Sequence, residues 1–269
     1  MPLSSSDRFL GRVENYAKHR PGYPAAAIDL LETRCGLRPG IVAVDLGSGT
    51  GILSALLLER GARVFGIEPN REMRSYADLA LRGDYHGREG TAESTGTPSR
   101  FFDLLVAGQS FHWFDPRRTR TEALRILKPG AWAALIWNER PKESMPFLED
   151  YEALLRRYAP EYDAVARLRA QEDGIGQFFG RAPELAVFPN QQLLDFEGLA
   201  GRVLSSSYAP MPDRPEHAPL MAGLREVFDR HQEAGKVVFP YRTLVYFGQP
   251  DRQPQALGPA HAQGRVHHS

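Results

Sequence analysis

The chain has 269 residues, 42% of them hydrophobic, with 33 basic residues against 33 acidic ones and one cysteine, Cys35. That length and apolar content suit one α/β domain with an added cap; the zero formal charge argues against a nucleic-acid groove, and a lone cysteine excludes an internal disulfide or a cysteine-built metal site. No apolar stretch nears the roughly 20 residues that span a bilayer and no leader-like run follows Met1, so the expectation is a cytoplasmic protein acting on small molecules, without a membrane or metal.

From Asp7 to Lys18 the spacing of Phe9, Val13 and Tyr16 predicts a short helix with one apolar face. Arg20-Pro21-Gly22-Tyr23-Pro24 interrupts it, and Pro24 opens a second helix from Ala25 to about Cys35 that Gly36 ends. Tyr16 and Arg20 read either as packing and surface charge or as groups that fold over a ligand of the segment that follows.

Val42 to Leu46 is a short buried strand, and Gly47, Gly49 and Gly51 alternate directly after it before a helical pattern begins. Glycines so spaced allow positive φ and let a ligand lie against exposed N–H groups at a helix N-terminus. The ligand of such a loop contains a nucleotide. A dinucleotide fingerprint would place its third glycine where Ile52 stands, and Asp45 would repel a pyrophosphate. The same carboxylate favours a ligand with a cationic group.

Ala62 to Ile67 predicts a second strand ending in Glu68-Pro69-Asn70, about 20 residues after the loop, where a carboxylate accepts from ribose hydroxyls. Arg71 to Leu81 predicts a helix whose Met73 is either core or a cover for a purine face. Tyr85 to Glu93 includes a short third strand and a loop carrying Thr91, Ala92 and Glu93. Phe101 to Ala107 is a fourth strand, and Gly108-Gln109-Ser110-Phe111-His112-Trp113-Phe114 follows at its carboxyl end, where open parallel sheets bind ligands. Pro116 to Leu127 is helical, Lys128-Pro129-Gly130 turns, and Ala131 to Trp137 is a fifth strand.

Together these residues resemble the class I S-adenosylmethionine-dependent methyltransferases, of the small-molecule branch (methyltransferase type 11) that includes trans-aconitate methyltransferase-like enzymes. The resemblance is carried by Tyr16 to Pro24, Asp45 to Gly51, Gly66 to Asn70 with Met73, Thr91 to Glu93, Ala107 to Phe114 and Arg125 to Gly130, and covers about residues 7 to 138. It implies S-adenosylmethionine as cofactor and S-adenosylhomocysteine as product. Gly47, Ser48, Gly49 and Gly51 would lie against the methionine portion, Glu68 would hold the ribose, and Pro69 and Met73 would flank the adenine. Thr91, Ala92 and Glu93 would line its edge. Tyr16 and Arg20 would close on the cofactor carboxylate, with Gln109 near its amino group and Ser110 and Phe111 beside it.

Further on, helices are predicted at Pro146 to Tyr158, Glu161 to Phe179, Glu197 to Leu204 and Glu216 to Glu233, with strands at Leu185 to Leu194 and Lys236 to Phe247. The expected fold is a Rossmann-like three-layer α/β/α sandwich with a mostly parallel seven-stranded sheet, its last strand antiparallel, and a helical cap. One domain spans 1–248, with N-terminal helices in 1–40 closing over the cofactor and a cap insertion at 141–184; 249–269 reads as a disordered tail. Arg156, Arg157, Arg167 and Arg169 on the cap alternate with Glu152, Glu161 and Glu172 and read as a solvated face.

The expected reaction moves a methyl group by in-line displacement to an O, N or S atom of a small-molecule acceptor, which positioning and water exclusion promote. His112 is the candidate base, and Trp113, Arg140, Tyr208 and Tyr241 are candidate acceptor contacts, with Phe111 and Phe114 walling the loop. Two other readings share the loop: a protein that binds S-adenosylmethionine without methyl transfer, and an NAD(P)-dependent oxidoreductase, which the displaced glycine and Asp45 disfavour. The fourth-strand loop lacks the Asn-Pro-Pro-Tyr motif that handles a flipped base, so no nucleic acid is expected.

Overall fold

The computed structural model of the chain describes residues 13–141, 145–164 and 173–250. Its elements are α1 Val13–His19, α2 Ala25–Cys35, β1 Val42–Leu46, α3 Ile52–Glu59, β2 Arg63–Ile67, α4 Arg71–Ala80, β3 Tyr85–Arg88 and β4 Phe102–Gly108. There follow a 3-10 turn at Phe111–Trp113, α5 Pro116–Ile126, β5 Leu127–Glu139, α6 Pro146–Tyr158, α7 Asp173–Phe179, β6 Glu184–Leu194, α8 Phe196–Leu204, α9 His217–His231 and β7 Val237–Gly248. The strands form one seven-stranded sheet in the order β3-β2-β1-β4-β5-β7-β6. β2 and β4 both run parallel to β1, β3 parallel to β2 and β5 parallel to β4, while β7 is antiparallel to β5 with Ala133 opposite Gly248 and Glu139 opposite Arg242. The order reverses at β1, so the carboxyl ends of β1 and β4 flank a topological switch point, where sheets of this type bind ligands.

Period-2 side-chain alternation gives the sheet two buried faces. Ala43, Leu104, Val106, Ala134 and Ile136 pack with Ala27, Ile28 and Leu31 of α2 and Leu53 and Leu57 of α3. Their neighbours Val44, Leu105, Ala133 and Leu135 pack on the opposite side with Ala123 and Ile126 of α5 and Ile175, Phe178 and Phe179 of α7. Helices on both faces explain why β1, β2 and β4 read as nearly unbroken apolar runs.

By its contacts the chain divides into two compact units. Unit 1 takes residues 1–21, 140–170 and 189–241; unit 2 takes 22–139, 171–188 and 242–269. The core of unit 1 is helical: α6 buries Phe147, Leu148, Tyr151, Leu154 and Leu155 at the spacing of one helix face, and α9 does the same with Leu220, Leu224, Val227 and Phe228.

Most predicted elements lie within a few residues of those observed; of the helices expected from Asp7 to Lys18 and from Glu161 to Phe179, the described residues show Val13–His19 and Asp173–Phe179, and 1–12 and 165–172 lie outside them. Three differences stand out. Lys128, Pro129 and Gly130 fall inside β5, which starts at Leu127 and is irregular between Phe102 and Leu104 of its partner strand; Gly130 at φ 78 takes up the turn. The 1–40 segment is shared, α1 belonging to unit 1 and α2 to unit 2. The expected cap 141–184 is also divided: α6 is core of unit 1, whereas Ile175, Phe178 and Phe179 of α7 are apolar enough to be drawn into the core of unit 2 beside Phe111 and Trp137. Phe9, residues 142–144, Arg167, Arg169, Glu172 and the tail from 251 lie outside the described residues.

One buried cluster ties the loop after β3 to α5. Glu122 accepts from the Thr95 N–H at 2.9 Å and the Thr95 hydroxyl at 2.5 Å, and Arg125 donates to both of its oxygens at 2.6 and 2.7 Å. Burial pushes the Glu122 pKa up, but the hydrogen bonds from Arg125 and Thr95 outweigh it and hold the carboxyl at about 2, against 4.5 ordinarily. A depressed carboxyl contributes stability that is present above 4.5 and lost as pH falls through 2. Chemical denaturation between pH 5 and roughly 2 should show Glu122→Gln less stable than the native chain at the upper end, with the gap shrinking as pH falls; a gap that stays constant would show that the charge does not hold this loop.

Candidate functional site

The site is built at the carboxyl ends of β1, β2 and β4, all in unit 2. After β1 the chain turns through Gly47, Gly49 and Gly51 at φ 65, 56 and 85, and α3 begins at Ile52. These left-handed values suit glycine and strain other residues. At Gly47 the space is closed as well: a Cβ there would lie 2.7 Å from the Ser110 Cβ and 3.2 Å from the Phe114 ring. The Gly47 and Ser48 N–H groups donate to the Ile67 carbonyl at 2.8 and 3.2 Å, which ties the start of the loop to the end of β2.

Two carboxylates are buried here. Asp45, the fourth residue of β1, is 1% exposed, and its Oδ2 accepts from the Ser54 hydroxyl at 2.7 Å while Oδ1 has no hydrogen-bond partner. Glu68, directly after β2, is 7% exposed; its Oε2 accepts from the Gly49 N–H at 2.9 Å and its Oε1 from the Asn70 N–H at 2.8 Å. Burial raises the Asp45 pKa to about 7, with the nearby Glu68 charge adding to the rise and Ser54 opposing it. Glu68 is raised too, mainly by burial, though the Asn70 and Gly49 N–H groups and Arg74 work against the shift. Two lone pairs per oxygen leave Glu68 able to accept more hydrogen bonds than these two. Because Asp45 is raised, its contribution to stability is present below 3.8 and lost as pH rises through about 7.

The surrounding loops are held mostly by backbone contacts. Asn70 caps α4, its side chain accepting from the Met73 N–H at 3.0 Å; Met73 is 4% exposed and Pro69 faces outward. Thr91 is exposed and pairs through its backbone with Ser94, Ala92 is buried, and the Glu93 carboxylate accepts from the Asp115 N–H at 2.8 Å, bracing the entry to α5. Gln109, left-handed at φ 58, donates from Nε2 to the Asn138 carbonyl at 3.2 Å. Ser110 donates its hydroxyl to the Leu46 carbonyl at 2.7 Å, joining the β4 loop to the end of β1. Phe111 is 4% exposed and packs edge-on against Phe114, Trp137 and Phe178, so its ring is core. The His112 ring lies 4.7 Å from that of Trp113 in the 3-10 turn.

The other predicted site residues belong to unit 1. Tyr16 and Arg20 lie together, the guanidinium 4.8 Å from the Tyr16 ring centroid and donating to the Ser205 carbonyl at 3.0 Å. Arg140 donates to the Tyr162 hydroxyl, Tyr208 packs edge-on against Tyr162 at 5.1 Å, and the Tyr241 hydroxyl accepts from Arg202 at 3.0 Å. Ser54 and Arg202 were not legible as site neighbours, and Asn70 was read only as part of the turn after the second strand. Asn70 carries a signal, an Asx residue directly before a helical pattern; the others are ordinary core or helix positions in sequence.

Comparison with known proteins identifies the segment that holds the carboxylates. Residues 44–135 match the family described as "Methyltransferase domain". These residues are similar to a methyltransferase domain. An uncharacterized methyltransferase of Mycobacterium bovis is 37% identical over 49% of this chain and 52% of its own length, so the chain spans about half the length of the curated relatives it matches first. A methyltransferase-like protein of Schizosaccharomyces pombe is 24% identical over 89% of this chain and 94% of its own. Among solved structures, an Anaeromyxobacter dehalogenans protein provisionally described as a type II methyltransferase shares the fold at a TM-score of 0.59, with 22% identity over 86% of this chain and 97% of that one. Among the described residues there is no group of three or more His, Cys, Asp or Glu side chains that could hold a metal, and no helix is long and apolar enough to cross a membrane.

The domain's glycine loop gives a direct test of packing. Gly47→Ala combines a left-handed φ with a Cβ 2.7 Å from Ser110 and should destabilise unit 2 by about 1–3 kcal/mol. Urea denaturation should show the loss; an unchanged midpoint would mean that the loop relaxes freely.

Proposed function

We propose that the chain is an S-adenosylmethionine-dependent methyltransferase that alkylates an O, N or S atom of a small-molecule acceptor. The observation that carries this reading is the Glu68 carboxylate, buried within the methyltransferase domain and held by Gly49 and Asn70 with acceptor capacity to spare. A ribose diol would meet that capacity. The orphaned Asp45 Oδ1 fits a ligand that carries positive charge, as the ammonium and sulfonium of this cofactor do. Both residues therefore suit the cofactor, and the displaced third glycine with Asp45 weighs against a nicotinamide dinucleotide.

When bound, S-adenosylmethionine would supply a sulfonium-linked methyl group, which a nucleophile takes by in-line attack on its carbon while the C–S bond breaks and its electron pair stays on the sulfur of S-adenosylhomocysteine. The protein's own share is positioning. The glycine turn, whose Gly47, Ser48, Gly49 and Gly51 N–H groups are bonded to Ile67, Glu68 and Ser48, would offer the cofactor a close-fitting backbone surface; Glu68 would fix the ribose, and Met73 and Pro69 would flank the base. Gln109, held at the end of β4 by Asn138, would lie near the amino group, and Phe111, Phe114 and Trp137 pack together as an apolar wall on that side of unit 2. His112 takes the proton of a neutral acceptor, such as a hydroxyl or an amine, as its bond to the methyl carbon forms. A carboxylate or thiolate acceptor needs no such help. Trp113, beside His112 in the 3-10 turn, contacts the acceptor. A ubiquinone biosynthesis O-methyltransferase of Leptothrix cholodnii, 26% identical over 48% of this chain and 58% of its own length, supports an oxygen atom as one candidate acceptor.

Isothermal calorimetry with S-adenosylhomocysteine should give saturable one-to-one binding that Glu68→Ala weakens at least tenfold, while NADH gives no heat. Binding of NADH instead would sink the reading. With an acceptor in hand, His112→Ala should lower turnover without weakening cofactor binding; unchanged turnover would remove the base assignment.

A further inference from the structure

Unit 1 contains a buried guanidinium, Arg202, and a half-buried one, Arg140, with little acidic compensation among the described residues. Arg202, on α8, is 7% exposed, and among the described residues no carboxylate pairs with it. Its Nε donates to the Tyr241 hydroxyl at 3.0 Å and its Nη1 to the Ser206 hydroxyl at 3.1 Å, which uses two of its five N–H donors. The flat side of the group lies 5.6 Å from the Phe239 ring centroid. Tyr241 in turn donates its hydroxyl hydrogen to the Gln192 side-chain carbonyl oxygen at 2.8 Å. Arg140 donates to the Tyr162 hydroxyl and faces Glu152 at 3.4 Å, but Glu152 also pairs with Arg156 at 3.2 Å. The cluster thus sets one buried and one half-buried cation against part of one carboxylate.

Tyr151 connects them. It is 0% exposed, the Arg140 guanidinium lies 5.8 Å from its ring centroid, and its ring packs edge-on at 5.1 Å against Phe239, the ring that Arg202 covers. Its hydroxyl is buried without a hydrogen-bond partner. A buried donor left unsatisfied and a buried guanidinium left uncompensated are both costly, and one anion answers both.

We infer that unit 1 has a built site for a compact oxyanion, a carboxylate or phosphate group on a small molecule, held by Arg202, Arg140 and the Tyr151 hydroxyl. Charge-assisted bonds from planar guanidinium groups are the usual means of holding such groups. A carboxylate gripped in this way has its lone pairs engaged and is a poor nucleophile. The bound group is therefore an anchor of the ligand and not the atom that would accept a methyl group. The inference deepens the proposed function by giving the ligand an anionic handle, but it rests on the geometry of unit 1 and is read out by binding alone.

The test uses the full chain and three probes, citrate, succinate and inorganic phosphate, with chloride at matched ionic strength as the reference. Thermal-shift and calorimetric titrations should show saturable binding of at least one oxyanion. Tyr151→Phe, which removes only the hydroxyl, should weaken it at least threefold, and Arg202→Lys at least tenfold. Both variants should still bind S-adenosylhomocysteine like the native chain, which separates failure here from failure of the cofactor assignment. A response to citrate or succinate alone assigns a carboxylate, and a response to phosphate alone assigns a phosphate ester. No oxyanion response beyond that of chloride, or a response that Tyr151→Phe and Arg202→Lys leave unchanged, overturns the inference.

Discussion

Two carboxylates buried side by side at the ends of neighbouring parallel strands set the terms for the rest of unit 2. Burying an anion is costly unless donors or cations compensate it. Glu68 is compensated by the backbone, through Gly49 of the loop after β1 and Asn70 of the turn before α4, so the shape of both turns depends on it. Asp45 receives only Ser54, and its pKa of about 7 records the shortfall. A ligand carrying positive charge would remove that penalty, whereas an anionic pyrophosphate would add to it.

The loops around the carboxylates are fastened to strand ends more than to one another. Ser110 holds the β4 loop to Leu46, Gly47 and Ser48 hold the β1 loop to Ile67, and Glu122 with Arg125 holds the loop after β3. Each tie uses a backbone group of the sheet or a buried carboxylate, so little ordering is left for a ligand to impose on these segments. Unit 1 shows a different arrangement, in which aromatic rings and hydroxyls surround guanidinium groups.

The sheet was legible because its signals are local. Apolar runs, glycines at defined steps and an acidic residue at the tip of the second strand each follow from the backbone geometry they impose, and β1, β2, α2 and α6 lie within a residue or so of where those signals put them. Lys128-Pro129-Gly130 reads as a turn in sequence, yet pairing with β4 carries the strand back to Leu127. What the pattern could not give was long-range partnership. Phe111 in an aromatic loop reads equally as a ligand wall or as core, and only the positions of Trp137 and Phe178 decide for core. The arginines that sequence singled out on the cap alternate with acids, and Arg156 does pair with Glu152; Arg202, alone on a short helix, is the buried one. Its environment comes from Tyr241 and Phe239, almost forty residues away, and no spacing rule reports that.

The central claim is that Asp45 waits, partly protonated, for a cationic ligand. Calorimetry of S-adenosylmethionine binding in two buffers of different ionisation enthalpy measures it directly, as the number of protons exchanged. With Asp45 near its pKa of about 7, binding at neutral pH should release about half a proton, and Asp45→Asn should abolish the release. Binding with no proton release, or with the same release in Asp45→Asn, would contradict the account.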